Sequence, residues 1–102
     1  MIHLSTEQRL SVAGLARKHR VVRLELFGSA TTERFDPERS DVDLLVTFHP
    51  MPPREHANCF FGLADDLEAL LGQRVDLVET EAVQNSYFLR AIAGSRIPLY
   101  AA

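Results

Sequence analysis

The arrangement of a Gly-Ser pair and an Asp-Val-Asp triplet restricts the fold of this chain more than any other feature. Gly28-Ser29 closes an apolar segment, residues 21–27, that has the composition of a strand. Asp41-Val42-Asp43 opens a second such segment, which continues to Phe48. The two motifs meet only if they lie at the same end of a sheet, which requires these strands to run antiparallel. The sequence therefore predicts an α+β, two-layer fold: a small mixed β-sheet with helices packed on it.

The carboxylates of this pattern predict a charged site. Asp41 and Asp43 are two residues apart on a predicted strand and would project from the same face, and Asp76 interrupts a further apolar segment downstream. Adjacent carboxylates repel each other unless a cation lies between them. Mg²⁺ accepts one or two carboxylates and completes its shell with water and substrate phosphates. A Gly28-Ser29 turn that leads into a helix start would offer backbone N–H groups to phosphate oxygens. The pattern therefore predicts a metal-assisted nucleotide site.

Hydrophobic periodicity and capping signals predict the element order α-β-α-β-α-β-α, in which the second helix is short. The predicted elements are a helix capped by Ser5 and Gln8 that ends near Lys18, the two strands above, an amphipathic helix that Gly72 ends, a strand over Arg74–Val78, and a last helix from Thr80 or Glu81 to Ala93.

Composition bounds the class of protein. A length of 102 residues predicts one domain, residues 1–102. The net charge of −3 argues against a direct nucleic-acid binder. The single cysteine, Cys59, fits a reducing compartment. The N-terminus shows no signal-peptide pattern, and no apolar segment approaches the roughly 20 residues that a membrane helix needs. We therefore expect a cytoplasmic protein without a membrane partner.

Each feature also has a plainer interpretation. Gly28-Ser29 alone would be an ordinary turn, and Asp76 alone an exposed residue of a strand. A zinc site at His56 and Cys59 is disfavoured, because His49 is the only nearby supplement to a set that needs four ligands. A basic cluster is formed by Arg17, Lys18, Arg20 and Arg23. It is interpreted either as a solvated face or as a support for a triphosphate. The functional interpretation of the acids depends on the combination of the motifs.

The combination Leu26-Phe27-Gly28-Ser29 followed by Ser40-Asp41-Val42-Asp43-Leu44 resembles the signature of the minimal nucleotidyltransferases of the DNA polymerase β-like superfamily. Within that family the chain is similar to the MntA-type antitoxins of HEPN/MNT toxin–antitoxin systems. The resemblance extends over nearly the whole chain. Two departures stand out: the loop between the motifs is one residue longer than usual, and Ala30-Thr31-Thr32 replaces the small residue, Arg and Gly that often follow Gly-Ser.

The resemblance implies an enzyme that moves AMP from ATP to a hydroxyl group and releases pyrophosphate. Two Mg²⁺ ions would bridge Asp41, Asp43 and the α-phosphate, and Asp76 would be the metal ligand on the side of the attacking hydroxyl. Gly28, Ser29 and the N–H groups around them would hold the β- and γ-phosphates. All three acids would thus be catalytic and metal-binding residues.

The resemblance also implies a partner. The chain has no room for a second domain that would hold the acceptor, so we expect the acceptor on a partner protein. The resemblance implies that this partner is a HEPN-domain toxin, that the acceptor is a tyrosine on it and that the chain is an antitoxin. Two other functions remain open: a catalytically silent antitoxin that neutralises the toxin by binding it, and a small-molecule, drug-modifying nucleotidyltransferase.

Overall fold

Two α-helices and four strands are defined in the computed structural model, which describes residues 1–80, 90 and 95–102. In chain order the elements are α1 (Thr6–Lys18), β1 (Val21–Phe27), a 3-10 turn (Gly28–Thr31), β2 (Val42–Phe48), α2 (Pro53–Leu71), β3 (Val75–Glu79) and β4 (Ile97–Ala101). The predicted last helix lies outside the described residues, apart from Thr80 and Arg90.

The four strands form one mixed sheet in the order β3-β2-β1-β4. β1 is antiparallel to both of its neighbours, β2 and β4, whereas β2 and β3 are parallel. The predicted mixed sheet and the antiparallel orientation of the first two strands are confirmed. Because of that orientation, the end of β1 lies beside the start of β2.

The helix ends follow the local signals in the sequence. At the start of α1, the Ser5 hydroxyl accepts a hydrogen bond from the Gln8 N–H, and the Gln8 side chain accepts one from the Ser5 N–H. This reciprocal arrangement satisfies donors that the first turn of a helix leaves without partners. α2 begins at Pro53, a residue suited to the first helical position, and ends at Gly72, which has a left-handed φ of 66°.

Both helices pack on one face of the sheet. Val12 and Ala16 of α1 and Leu63 and Leu67 of α2 are buried against strand residues that include Leu24. Fully burying one leucine or valine side chain stabilises the fold by about 1.5–3 kcal/mol. This core therefore accounts for much of the attachment of the helix layer to the sheet.

A polar contact joins the two helices at the end of α1. Nε2 of His19 lies 2.7 Å from Oδ2 of Asp66, which also accepts a hydrogen bond from Nζ of Lys18 at 3.1 Å. The His19 ring is almost buried and lies against Gly62, where a Cβ atom would come within 2.7 Å of Cε1. Gly62 is therefore the residue that lets this ring fit between the helices.

Strand β4 is an addition to the predicted elements. It contains Pro98, which is tolerated because β4 is an edge strand of the sheet. Just before β4, Arg96 donates two hydrogen bonds to the buried Glu25 of β1, Nε to Oε2 at 3.1 Å and Nη2 to Oε1 at 2.6 Å. This bidentate pair fixes the start of β4 against β1. Within the described part of the chain, no helix is long and apolar enough to cross a membrane.

Candidate functional site

Three strand ends bring the predicted acidic residues together at one end of the sheet. Asp43 is the second residue of β2, and Asp76 is the second residue of β3; they are direct partners in the parallel register. Neighbouring strands lie about 4.8 Å apart, so the two backbones are adjacent. On the other side, Asp43 is the register partner of Phe27, the last residue of β1.

The alternation of side chains places Asp43 and Asp76 on the face of the sheet opposite the helices. Val42 and Leu44, which flank Asp43, are fully buried in the core under the helices. Leu77, which follows Asp76, belongs to the same core. Since successive side chains of a strand point to opposite faces, both acids project away from the helix layer.

Asp41 lies immediately before β2 and forms an ion pair that the sequence pattern did not indicate. Its Oδ1 is 3.4 Å from Nε of Arg74, the residue before β3, and both side chains are largely exposed. The backbone joins the same two positions, because the Val42 N–H donates to the Arg74 carbonyl at 2.8 Å. Asp41 is thus held at the rim of the acidic group formed by Asp41, Asp43 and Asp76.

Gly28 connects the first motif to the second. It has a left-handed φ of 68°, a backbone conformation that residues other than glycine rarely adopt. A Cβ atom at this position would lie 2.6 Å from Oδ2 of Asp43. Backbone conformation and space therefore both require a residue without a side chain, and the backbone of the turn approaches the acid closely.

The 3-10 turn after β1 is stabilised by two hydroxyl groups. Oγ1 of Thr31 donates to the Gly28 carbonyl at 2.8 Å, and Oγ1 of Thr32 donates to the Ser29 carbonyl at 3.0 Å. The first N–H groups of such a turn have no partner within it, so the turn can present donors to an anion near Ser29.

The electrostatics of the site leave negative charge without compensation. Burial is the main cause that raises the pKa of Asp43 above its ordinary value, and the charges of Asp76 and Asp41 raise it further. In the described part of the chain, Asp43 and Asp76 have no ion-pair partner, whereas Asp41 has Arg74. A cation bound here would remove this repulsion.

The arrangement suits a cation that is bound together with a phosphate ligand. Among the described residues, no group of three His, Cys, Asp or Glu side chains is placed to hold a metal ion. Mg²⁺ does not require one, because it usually binds through one or two carboxylates together with water and substrate phosphates. The Gly28 backbone approaches Asp43 closely, and a side chain at Gly28 would crowd this carboxylate.

Two other groups of polar residues lie away from this site. In the basic cluster, Lys18 pairs with Asp66 and Arg20 pairs with Glu55, at the opposite end of β1 from Gly28. This cluster is therefore not a support for a triphosphate at the candidate site. His56 hydrogen-bonds to Glu79, an arrangement that joins α2 to β3.

Comparison with known proteins identifies relatives of this chain. The family model described as "Nucleotidyltransferase domain" matches residues 11–99, which include both motifs and Asp76. A curated protein of Methanocaldococcus jannaschii, described as a candidate protein adenylyltransferase, is 38% identical over 78 residues, which are 76% of this chain and 76% of that protein.

Solved structures share the fold. A structure described as a candidate minimal nucleotidyltransferase matches with a TM-score of 0.66 and 31% identity, over 96% of this chain and 99% of that one. A chain in the complex of tri-AMPylated Shewanella oneidensis HEPN toxin with MNT antitoxin matches with a TM-score of 0.64 and 18% identity, over 97% of this chain and 74% of that one. A toxin–antitoxin structure with AMP-PNP matches with a TM-score of 0.66 and 20% identity, over 96% of this chain and 75% of that one.

Proposed function

The chain belongs to the nucleotidyltransferase domain family, and from this membership we propose that it transfers AMP from ATP to a hydroxyl group of a partner protein. The observation that carries the proposal is the register of the sheet. Asp43 is the direct neighbour of Asp76 on one side and of the strand end that leads into Gly28 on the other. Phosphoryl transfer requires mainly positioning and neutralisation of charge, and these residues are arranged for both.

The order of the residues across the sheet suggests where the phosphates and the acceptor hydroxyl would lie. Gly28 and Ser29, at the end of β1, would hold the β- and γ-phosphates with backbone N–H groups. The α-phosphate would lie over Asp43 of β2. The acceptor hydroxyl would arrive at Asp76, which is exposed on the edge strand β3. The oxygen of the acceptor hydroxyl would form a bond to the α-phosphorus while the bond between that phosphorus and the bridging oxygen of the β-phosphate breaks. Pyrophosphate then leaves on the side of Gly28.

Asp41, Asp43 and Asp76 are the residues that would hold divalent cations, and we propose Mg²⁺, with two ions as in other two-metal phosphoryl-transfer sites. Bound cations would neutralise the phosphate charge and stabilise the attacking and leaving oxygens. The exposed position of Asp76 suits it to orient the acceptor hydroxyl and to draw off its proton. The more buried Asp43 is suited to holding the cation that would bind the α-phosphate.

The proposed acceptor is a tyrosine of a HEPN-domain toxin, which would make this chain an antitoxin in a hetero-oligomer. The relatives support this choice. The relative from Methanocaldococcus jannaschii is described as a candidate protein adenylyltransferase, and a structural neighbour contains a HEPN toxin that carries AMP groups beside its MNT antitoxin. We propose further that residues 1–102 act as one domain and that the reaction takes place in the cytoplasm.

Two other functions would use the same fold. A silent antitoxin would bind the toxin and block it without transferring AMP. A drug-modifying enzyme would transfer the nucleotide to a small molecule. The paired acids favour chemistry over simple blocking, because without a catalytic role the repulsion among Asp41, Asp43 and Asp76 only destabilises the fold.

The proposal is tested by following each phosphate of ATP. The purified protein is incubated with Mg²⁺, a purified HEPN-domain toxin, and ATP labelled at either the α- or the γ-phosphate. We expect the partner to retain label from the α-phosphate and none from the γ-phosphate, with a mass gain in steps of one AMP. Retention of γ-label would indicate a kinase, and a partner that gains no mass while ATP is intact would contradict the transfer of AMP.

A further inference from the structure

Among the described residues, Arg74 is the one cation that pairs with the acidic group. Nε of Arg74 lies 3.4 Å from Oδ1 of Asp41. Its backbone position is fixed, because its carbonyl accepts the Val42 N–H at the start of the parallel ladder between β2 and β3. The guanidinium group is therefore attached to a rigid part of the site even though the side chain itself is long.

Arg74 is placed on the same face of the sheet as the acids. It precedes Asp76 by two residues, and the residue between them, Val75, packs on the helix-covered core. By the alternation of a strand, Arg74 and Asp76 therefore project to the opposite face. The start of β3 and the residue before it thus provide one anion and one cation to the site, while β2 and the residue before it provide Asp43 and Asp41.

The pair between Arg74 and Asp41 is easily broken. The Arg74 side chain is 83% exposed and that of Asp41 is 47% exposed. Exposed ion pairs of this kind contribute little to stability. Loss of this contact therefore leaves the fold intact, and a more highly charged ligand would displace Asp41 from the guanidinium.

We propose that Arg74 binds the triphosphate of the incoming nucleotide, and that the Asp41 carboxylate occupies its guanidinium group only while the site is empty. On this view, which rests on the proposed nucleotidyl transfer, Arg74 moves from Asp41 to the phosphates when Asp41 becomes a cation ligand. The planar guanidinium suits this role, because it donates two parallel hydrogen bonds to phosphate oxygens and stays charged at all relevant pH values.

The exchange of partners gives Arg74 a signature that a purely structural ion pair lacks. Replacement of Arg74 by glutamine frees Asp41 and removes a positive charge that competes with a bound cation. The affinity of the site for Mn²⁺ alone should therefore rise about two- to threefold. The same replacement should weaken binding of ATP with Mg²⁺ about tenfold, because a charge-assisted hydrogen bond is lost. A residue that only stabilised the fold would change both affinities in the same direction.

The experiment measures both affinities in the full-length chain. The dissociation constants of Mn²⁺ alone, of AMP with Mg²⁺ and of ATP with Mg²⁺ are determined by calorimetry at 0.15 M salt for the wild type, Arg74→Gln and Arg74→Lys. Arg20→Gln is the matched control, because Arg20 forms an exposed ion pair with Glu55 at the other end of β1. Thermal melting of each variant checks that it is folded.

We expect Arg74→Gln to weaken ATP binding, to leave AMP binding nearly unchanged and to tighten Mn²⁺ binding, with Arg74→Lys intermediate and Arg20→Gln like the wild type. Equal ATP affinity of Arg74→Gln and the wild type would overturn the role of Arg74 and leave the proposed function standing. A wild type that binds no ATP in the presence of Mg²⁺ would overturn both.

Discussion

A Cβ atom on Gly28 would lie 2.6 Å from Oδ2 of Asp43, so the glycine of one motif is required by the position of the acid in the other. The two motifs are separated by eleven residues in the sequence. They meet because β1 ends where β2 begins. This contact explains in physical terms why the Gly-Ser pair and the Asp-x-Asp triplet occur together: the turn approaches the acid closely enough for one ligand to contact both.

Replacement of Gly28 by alanine separates the two requirements on this position. Gly72 has almost the same φ, 66°, but nothing lies within 4 Å of its potential Cβ. Gly72→Ala therefore measures the conformational cost alone, about 1–2 kcal/mol. We expect Gly28→Ala to lower the free energy of unfolding by about 1 kcal/mol more, because of the contact with Asp43, and to weaken ATP binding at least tenfold.

Urea denaturation and calorimetry check this prediction, and the double variant Gly28→Ala, Asp43→Ala provides a cycle. Removal of the Asp43 side chain should restore the stability that is lost through the contact with Asp43. It should not restore the stability that is lost because alanine adopts a left-handed φ at position 28. If Gly28→Ala binds ATP as tightly as the wild type does, the phosphates lie elsewhere.

Replacement of Asp43 by asparagine should stabilise the empty protein while abolishing AMP transfer. Because folding raises the pKa of Asp43, the unfolded chain releases this proton first as the pH rises. Ionisation of Asp43 therefore lowers the free energy of unfolding. This loss of stability is absent at low pH and complete above the raised pKa. We expect Asp43→Asn to raise Tm by roughly 2–4 °C at pH 7, and by less at pH 4.

Thermal melting at the two pH values tests the sign of this effect, with the exposed Asp65→Asn of α2 as the control for loss of a surface carboxylate. A Tm that falls at pH 7 would mean that Asp43 is already compensated in the empty protein. Full transfer activity of the variant would remove Asp43 from the catalytic group.

The contact between His19 and Asp66 should give the opposite pH dependence. The hydrogen bond with His19 is the main cause that lowers the pKa of Asp66, followed by the hydrogen bond with Lys18. The folded state therefore gains stability once the pH exceeds the ordinary pKa of an aspartate, and loses it as the pH falls through the lowered value. We expect Asp66→Asn to lower Tm at pH 7 and to have less effect near pH 3.

Melting curves between pH 3 and pH 7 check this prediction, and Asp65→Asn is a matched control on the adjacent residue. Equal pH profiles for Asp66→Asn and Asp65→Asn would contradict the assignment of the contact. Because the site lies at the other end of β1, ATP binding should be unchanged in both variants.

Local signals in the sequence predicted the parts of the fold that depend on near neighbours. The Ser5–Gln8 cap and the left-handed Gly72 each involve residues within one turn of a helix, and both are confirmed. The spacing of Gly28-Ser29 and Asp41-Val42-Asp43 was enough to predict the antiparallel pairing of β1 with β2.

Contacts between distant segments could not be predicted in the same way. Strand β4 is five residues long, contains a proline and is stabilised by pairing with β1 and by Arg96, whose partner Glu25 is 71 positions away in the sequence. The ion pair between Arg74 and Asp41 likewise depends on the parallel register of β2 and β3. Periodicity carries no information on such pairings, which is why a charged residue beside the predicted acids went unassigned.

Replacement of Asp76 by asparagine should separate catalysis from nucleotide binding. Asp76 lies on the exposed edge strand, on the far side of Asp43 from the Gly28 turn that would hold the triphosphate. We expect kcat to fall at least a hundredfold while KM for ATP changes less than threefold. Steady-state kinetics with the partner as acceptor measure both. An equal loss of ATP affinity and transfer would assign Asp76 to nucleotide binding instead.

The double variant Asp41→Asn, Asp43→Asn distinguishes an enzyme from an antitoxin that blocks its target by binding. Asp41 precedes β2 and Asp43 is its second residue, and Asp43 projects away from the helix layer. The variant should therefore fold, and its melting curve checks this. If the chain inactivates the HEPN-domain toxin by AMP transfer, the variant should still bind the toxin but fail to protect cells that express it. The toxin isolated from cells with the wild-type chain should carry added AMP by mass spectrometry and stay inactive after separation. Protection by the variant, with no mass added to the toxin, would instead indicate neutralisation by binding alone.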